Sequence, residues 1–304
     1  MPTLASPANV AAIAFAASGT RLIGACADGM IRHWDPKSPE ALKAVQGDKA
    51  RHRQLTFSRD GGLLAGVAGD GKIKIWNANS GALLHTLPGH ALPGPALPGK
   101  NGITRSLGFS RDAKLLASGG DDKLTVVWDV QTGTRKWSAP SGIGEARAFV
   151  FSPDGASLFS PNSDTDVRFW RAANGELERK LEEFPLAMFA ADYSNDGRWL
   201  AMAGADSNVY IWNVRDAKIA RTLTGHADPI VGVRFSPDGE SLLTSGLDEA
   251  SGDKPAPLSL WNIESGKLRL IERIANATNQ IAFSPDGAFV AWSCRGKQVE
   301  IRQL

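Results

Sequence analysis

The 304-residue chain is predicted to be all-β: seven copies of one four-stranded antiparallel unit, stacked side by side into a closed ring. Three observations predict this. A Trp recurs at one place in a repeating unit, as Trp34, Trp76, Trp128, Trp170, Trp212 and Trp261. An aromatic stands nineteen residues ahead of each of the first five, as Phe15, Phe57, Phe109, Phe151 and Tyr193, and Phe235 and Phe283 follow. The basic step, Phe15 to Phe57 or Trp34 to Trp76, is 42 residues, and self-similarity at such a period marks a repeat architecture.

Within the unit the elements follow in order. Strand a closes on the aromatic. A tight turn comes next: Ser58-Arg59-Asp60-Gly61, Ser152-Pro153-Asp154-Gly155, Ser194-Asn195-Asp196-Gly197, Ser236-Pro237-Asp238-Gly239 and Ser284-Pro285-Asp286-Gly287. Pro presets one dihedral, Asp accepts from the local backbone and Gly supplies positive φ, which together make a hairpin. Strand b is an apolar run such as Leu115-Leu116-Ala117-Ser118. Strand c ends on the Trp and alternates strictly, as in Lys72-Ile73-Lys74-Ile75-Trp76 and Val209-Tyr210-Ile211-Trp212; a period of two means strand. A polar turn then leads to strand d, as in Ser80-Gly81-Ala82-Leu83-Leu84-His85-Thr86-Leu87. Four strands of about 5 residues with short connections fill the period. Paired-helix repeats have similar periods, about 40 to 47 residues, but the apolar spacing here is two and Gly or Pro interrupts every candidate helix.

A four-stranded antiparallel unit cannot bury both faces alone. Copies must stack face to face, and seven twisted sheets stacked radially close a ring around a channel. As a single domain, the units span approximately 7–46, 47–89, 100–139, 142–181, 184–225, 226–271 and 274–304. The last stops at Val299 to Leu304, its strand c. Thr3-Leu4 precedes Phe15 much as Thr222-Leu223 precedes Phe235, so residues 1–6 are expected to complete the seventh unit and cover an edge that would otherwise invite aggregation. Each Trp is expected to face the next unit. There it would remove about 150–250 Å² from water, and truncation to Ala would cost about 3–5 kcal/mol.

These residues resemble the WD40-repeat family of β-propellers, over the whole chain. Trp34-Asp35, Trp76-Asn77, Trp128-Asp129, Trp212-Asn213 and Trp261-Asn262 carry the resemblance, with Gly89-His90 and Gly225-His226 ahead of two of them. It implies a seven-bladed propeller closed by the N-terminal strand. It also implies hydrogen-bonded structural tetrads of His, Ser or Thr, Asp and Trp: His226, Thr244, Asp248 and Trp261 in one blade, and His90, Ser118, Asp122 and Trp128 in another. The chain departs from the pattern where most blades lack the His, where Arg171 follows Trp170, and where Arg302 takes the Trp position in the last blade. The turn Asp recurs alone six residues before Trp, as Asp28, Asp70, Asp122, Asp164 and Asp206.

A net charge of +2 argues against wholesale affinity for nucleic acid or membranes. No apolar run is long enough to span a bilayer, and Met1 to Pro7 lacks the basic and apolar regions of a signal peptide. A monomeric cytoplasmic protein is expected. Cys26 and Cys294, on strands b of adjoining blades, are expected to be buried free thiols rather than a disulfide, since a large core needs no staple. Phosphate loops, zinc-spaced Cys pairs and nucleophile elbows are missing. The histidines, His33, His52, His85, His90 and His226, are scattered. Adjacent carboxylates such as Asp121-Asp122 and Glu182-Glu183 would point to opposite faces of a strand. No enzymatic activity, cofactor or metal is expected.

Function is expected where the repeat is broken. In the family, the d–a and b–c loops share one rim, called the top. Two insertions fall there: Ala91 to Gly99, and roughly Glu249 to Pro257. Four residues before the strand-a aromatic, a position near the top of the channel in family members, stand Arg53, Arg105 and Arg147, with Ala11, Phe189, Val231 and Asn279 in the other blades. Reinforced at one end by Arg51 and His52 and flanked by Phe189, this arc would attract an acidic or phosphorylated peptide, because guanidinium forks pair bidentately with carboxylate and phosphate. Neutralisation of each Arg by Asp70, Asp121 or Glu145 is the alternative. The expected function is a scaffold that binds a protein or peptide at the top face and channel mouth. Two alternatives are a propeller with a small anionic ligand or catalytic site in its channel, and a regulatory module of a larger signalling protein.

Overall fold

The structure is a computed structural model, which describes residues 3–38, 41–47, 54–90, 104–142, 144, 146–182, 184–246, 256–274, 280–293 and 297–304. Among the described residues every regular element is a strand, and the strands form seven four-stranded antiparallel sheets. Six sheets keep chain order across the sheet. The seventh runs Thr3–Ala5, Gln298–Gln303, Phe289–Ser293, Ile281–Phe283, with Thr3 opposite Glu300 and Leu4 opposite Val299. Leu4 is fully buried and packs with Val299, Ile301, Phe15 and Trp34, so three residues both complete blade seven and seal it against blade one.

The a strands, in blade order, are Val10–Phe15, Leu55–Phe57, Thr104–Phe109, Val150–Phe151, Met188–Tyr193, Ile230–Phe235 and Ile281–Phe283. Each touches the a strand of the next blade, and the seventh touches the first. They are therefore the inner wall of a closed ring. The core is divided among the seams between blades, as a stack of sheets requires. At the seam of blades one and two, Ala12, Ile23 and Ile31 meet Leu55, Leu64 and Trp76.

This packing corrects one expectation. Each strand-c Trp faces the preceding blade, whereas Ile73 and Ile75 of the same strand pack onto blade three with Leu107, Leu116 and Trp128. Strand alternation dictates that Trp76 and Ile75 lie on opposite faces. It does not dictate which face looks which way round the ring. Blade seven, with Arg302 in the Trp position, is packed by a Trp from strand b instead: Trp292 is fully buried against Leu243, Leu258 and Leu260 of blade six.

The a–b turns of blades two to seven share one hydrogen-bond pattern. Ser58 Oγ donates to Asp60 Oδ1 at 2.5 Å and accepts from Leu63 N at 2.9 Å. The Ser-to-Asp bond recurs from Ser110, Ser152, Ser194, Ser236 and Ser284. Two loop readings also change. Ala256 and Pro257, read as part of the second insertion, begin strand c of blade six, Ala256–Asn262, opposite Ile274 and Arg273. The insertion Ala91 to Gly99 lies outside the described residues. Cys26 is a buried free thiol, 3.6 Å from Ser6 Oγ and with its pKa pushed up by burial; Cys294 lies outside the described residues.

Candidate interaction surface

Antiparallel connectivity puts the a–b and c–d turns on one rim of the ring and the b–c turns and d–a connections on the other. The second is the top rim. Strand a reaches it at the position four residues before its aromatic, and there the ladder breaks. Register slips by one residue between Val10 and Ala12, Thr104 and Ser106, Met188 and Ala190, and Ile230 and Gly232. Blade four does the same: Ala146 bridges Asn162 while Val150 pairs with Phe159. The skipped residues are therefore Ala11, Arg105, Phe189 and Val231, while in blade four the slip falls among residues 147–149 and Arg147 N donates to Pro161 O at 2.8 Å. A bulge frees one residue from the pleat and re-aims its side chain. Four blades thus display one side chain each at corresponding positions of the inner wall, and these side chains are not repeated in kind.

Among the expected arc residues, Arg105 is exposed and its Nε donates to Asp121 Oδ1 at 2.6 Å, with Nη2 at 3.3 Å from Oδ2. Arg147 is exposed and forms no ion pair among the described residues. Phe189 is half-buried, and Leu186, on the d–a connection just before it, is 47% exposed. Beneath them Phe184 is buried edge-on against Tyr210 at 5.2 Å. Arg51, His52, Arg53 and Asn279 lie outside the described residues. The structure therefore shows one end of the arc, with Arg147 followed by the apolar pair Leu186 and Phe189.

Behind this rim the turn aspartates are anchored. In blade three His90 Nδ1 donates to Asp122 Oδ1 at 2.7 Å, Ser118 Oγ lies 2.8 Å from His90 Nε2, and Trp128 Nε1 donates to Ser118 Oγ at 2.8 Å. All four groups are buried or nearly so. In blade six His226 Nε2 and Trp261 Nε1 both reach Thr244 Oγ1, at 2.8 and 3.0 Å. Asp248 lies outside the described residues, and His226 Nδ1 is buried with no hydrogen-bond partner among those described. Burial pushes the pKa of His226 down to about 4.

Blades one, four and five, which lack the His, use another device, which the sequence reading missed. The residue four after the turn Asp holds it: Arg32 binds Asp28 bidentately at 2.9 and 2.6 Å, Arg168 reaches Asp164 at 3.3 Å, and Tyr210 Oη donates to Asp206 Oδ2 at 2.5 Å. Arg32 holds the Asp28 carboxyl below its ordinary range, and burial together with the Asp206 carboxylate pushes Tyr210 up to about 12. The constant offset was present in the sequence as a signal. Asp121 and Asp122 lie in the b–c turn between Leu115–Gly120 and Leu124–Asp129 rather than on a strand as expected, and there they diverge, one to Arg105 and the other to His90. Among the described residues no three His, Cys, Asp or Glu side chains are grouped to hold a metal, and no helix is long and apolar enough to cross a membrane.

A family model described as WD domain, G-beta repeat (WD40), matches residues 2–35, 46–77, 81–129, 183–213 and 217–250. The unmatched stretch after residue 129 holds blade four, which nonetheless forms the same four-stranded sheet. Among curated proteins, the chain is similar to Protein tipD of Dictyostelium discoideum, 30% identical over 83 residues, 27% of this chain and 14% of that protein. It is also similar to WD repeat-containing protein slp1 of Schizosaccharomyces pombe, 22% identical over 180 residues, 55% of this chain and 32% of that one. Periodic tryptophan protein 2 homolog of the same yeast is 29% identical over 97 residues, 32% of this chain and 10% of that protein. The matched part of the chain thus spans less than a third of the length of each of these relatives.

Proposed function

Because the chain belongs to the WD40-repeat family of β-propellers, we propose that it is a non-enzymatic interaction scaffold whose top rim docks a segment of a partner protein. One observation carries the reading: the repeated bulge on strand a presents unrepeated side chains, among them Arg105 and Phe189, at one end of the inner wall, with Arg147 exposed at the matching sequence position of blade four. Loops and irregularities held on a rigid frame are where binding residues concentrate. The partner segment is acidic or phosphorylated, with an apolar side chain for Leu186 and Phe189. Arg147 makes the charged contact directly, whereas Arg105 exchanges Asp121 for the ligand. Arg51 and Arg53 extend the arc in this reading, and the protein acts as a cytoplasmic monomer.

The test is an array of acidic, phosphorylated, neutral and basic peptides probed with the wild type and with Arg105→Glu/Arg147→Glu. Acidic and phosphorylated peptides should be retained by the wild type and lost by the double variant at an unchanged melting temperature. Equal retention by both proteins would refute the reading.

A further inference from the structure

The opposite rim departs from the repeat at one seam. At most seams a strand-d side chain reaches over to the c–d turn of the following blade and closes the gap. Lys43 Nζ donates to Asn79 O at 2.8 Å, Trp137 Nε1 to Ala172 O at 2.8 Å, and Arg221 to Ser265 O and Glu264 O at 3.1 and 2.8 Å. His85 lies flat on the next turn. Three of these turns place a Gly at positive φ directly under the incoming group: a Cβ on Gly133 would stand 2.5 Å from His85, on Gly175 2.4 Å from Trp137, and on Gly266 2.5 Å from Arg221. The following blade's residue two after its Trp is covered as a result, and Ala78, Val130, Ala172 and Ile263 are all buried.

Between blades four and five this fails. The turn of blade five has Ala217 (φ 51) where blades two, three, four and six have Gly81, Gly133, Gly175 and Gly266. By analogy with Gly133, Gly175 and Gly266, where an added Cβ would stand about 2.5 Å or less from the incoming side chain, a Cβ at this turn position is incompatible with the same closure. Arg179, the residue in that place, makes no hydrogen bond or ion pair among the described residues, and Val214 is 38% exposed. A cavity of about 640 Å³ opens there, with Phe169, Tyr193 and Trp212 among its walls. That volume suits a bound side chain and its neighbours.

We propose that the seam between blades four and five is a docking groove for an extended peptide of a partner protein that presents an apolar side chain beside an acidic residue. The apolar side chain covers Val214 and Phe169; the acid meets Arg111 and Arg179, which line the cavity. Two lining guanidiniums without a carboxylate partner among the described residues, with the Arg59 charge beside one of them, favour an acidic ligand. The lining carboxylates Asp154 and Asp196 are held by their own turns, accepting from Ser152 and Ser194, as in blades with closed seams, and Glu178 is paired with Arg171. Arg111 and Arg179 have no carboxylate partner among the described residues. Arg111 Nη1 donates only to the backbone oxygen of Asn195, at 2.9 Å, and Arg59 reaches across the ring to the side-chain oxygen of the same residue. Burial and the neighbouring Arg59 charge lower the pKa of Arg111 against the weaker pull of Asp192, so a bound anion would relieve repulsion already present. Tyr193 stays protonated, raised by burial and by the Asp154 and Glu178 carboxylates.

The test is a display selection of random peptides on the wild-type protein, with binders re-measured by fluorescence anisotropy on three variants. Arg179→Trp/Ala217→Gly rebuilds at this seam the Trp137-on-Gly175 closure of the previous one; it should keep or raise the melting temperature and weaken selected binders at least tenfold. Arg111→Gln/Arg179→Gln should weaken the acidic binders similarly, and Arg105→Glu/Arg147→Glu should leave them unchanged. Enrichment of peptides combining an acid with an apolar residue, with this pattern of loss, supports the groove. No enrichment, enrichment of basic peptides, or full binding by the rebuilt seam overturns it. Loss only in the Arg105→Glu/Arg147→Glu variant would also overturn it, while leaving the top rim as the docking site.

Discussion

Ser118 is a fully buried hydroxyl that accepts from Trp128 Nε1 and donates to His90 Nε2. Its removal would leave two buried polar groups without partners, each costing about 1–3 kcal/mol. Ser118→Ala should therefore lower stability to urea by about 2–3 kcal/mol; a cost below about 0.5 kcal/mol would mean that the tetrad contributes through packing alone. His226 has the opposite character. Its folded pKa, about 4, lies below the ordinary value of 6.5 because burial disfavours the charged ring. Between these values the unfolded chain binds more protons than the folded one, so stability rises with pH across that window and is lost as pH falls from 6.5 towards 4. The loss is at most about 3 kcal/mol from this residue. His226→Gln should flatten part of the slope in urea titrations over that range, with His33, also lowered by burial, accounting for the remainder. An unchanged slope would contradict the assignment.

At the scale of the element, the closing strand Thr3–Ala5 and the strand-a bulges matter most. Leu4 is the one buried side chain of its strand and belongs to the cluster joining blade seven to blade one. Leu4→Asp buries a charge among Val299, Ile301 and Trp34. It should lower the melting temperature and, by freeing the edge of Gln298–Gln303, promote association visible in gel filtration. A monomeric variant with unchanged melting would show that the strand is dispensable. These elements differ in how far they could be read beforehand. The strands and a–b turns were legible because period-two alternation and Ser-x-Asp-Gly chemistry are local. The bulge was not legible as a bulge, because a one-residue slip shows only in the pairing partner. Even so, its position was marked by the row Ala11, Arg105, Phe189 and Val231. The open seam depends on Ala217 in place of Gly and on Arg179 of another blade, two residues 38 apart in sequence whose proximity exists only in the folded ring.

Over the whole molecule, regularity and irregularity divide the work. The tryptophans and their hydrogen-bonded partners fix the blades to one another, and their repetition leaves them no specificity to offer a partner. In the proposed scaffold, specificity falls to the positions that differ from blade to blade on the two rims. The most direct test of the scaffold claim is site-specific photo-cross-linking in native extract. A benzophenone amino acid would be placed singly at Ala11 and Val231, on the top-rim bulge, and at Leu42 and Leu84, exposed on the outer d strands. The account predicts a discrete cross-linked partner from Ala11 or Val231 that disappears with Arg105→Glu/Arg147→Glu. Cross-links confined to Leu42 and Leu84, or top-rim products indifferent to the arginine reversal, would contradict it.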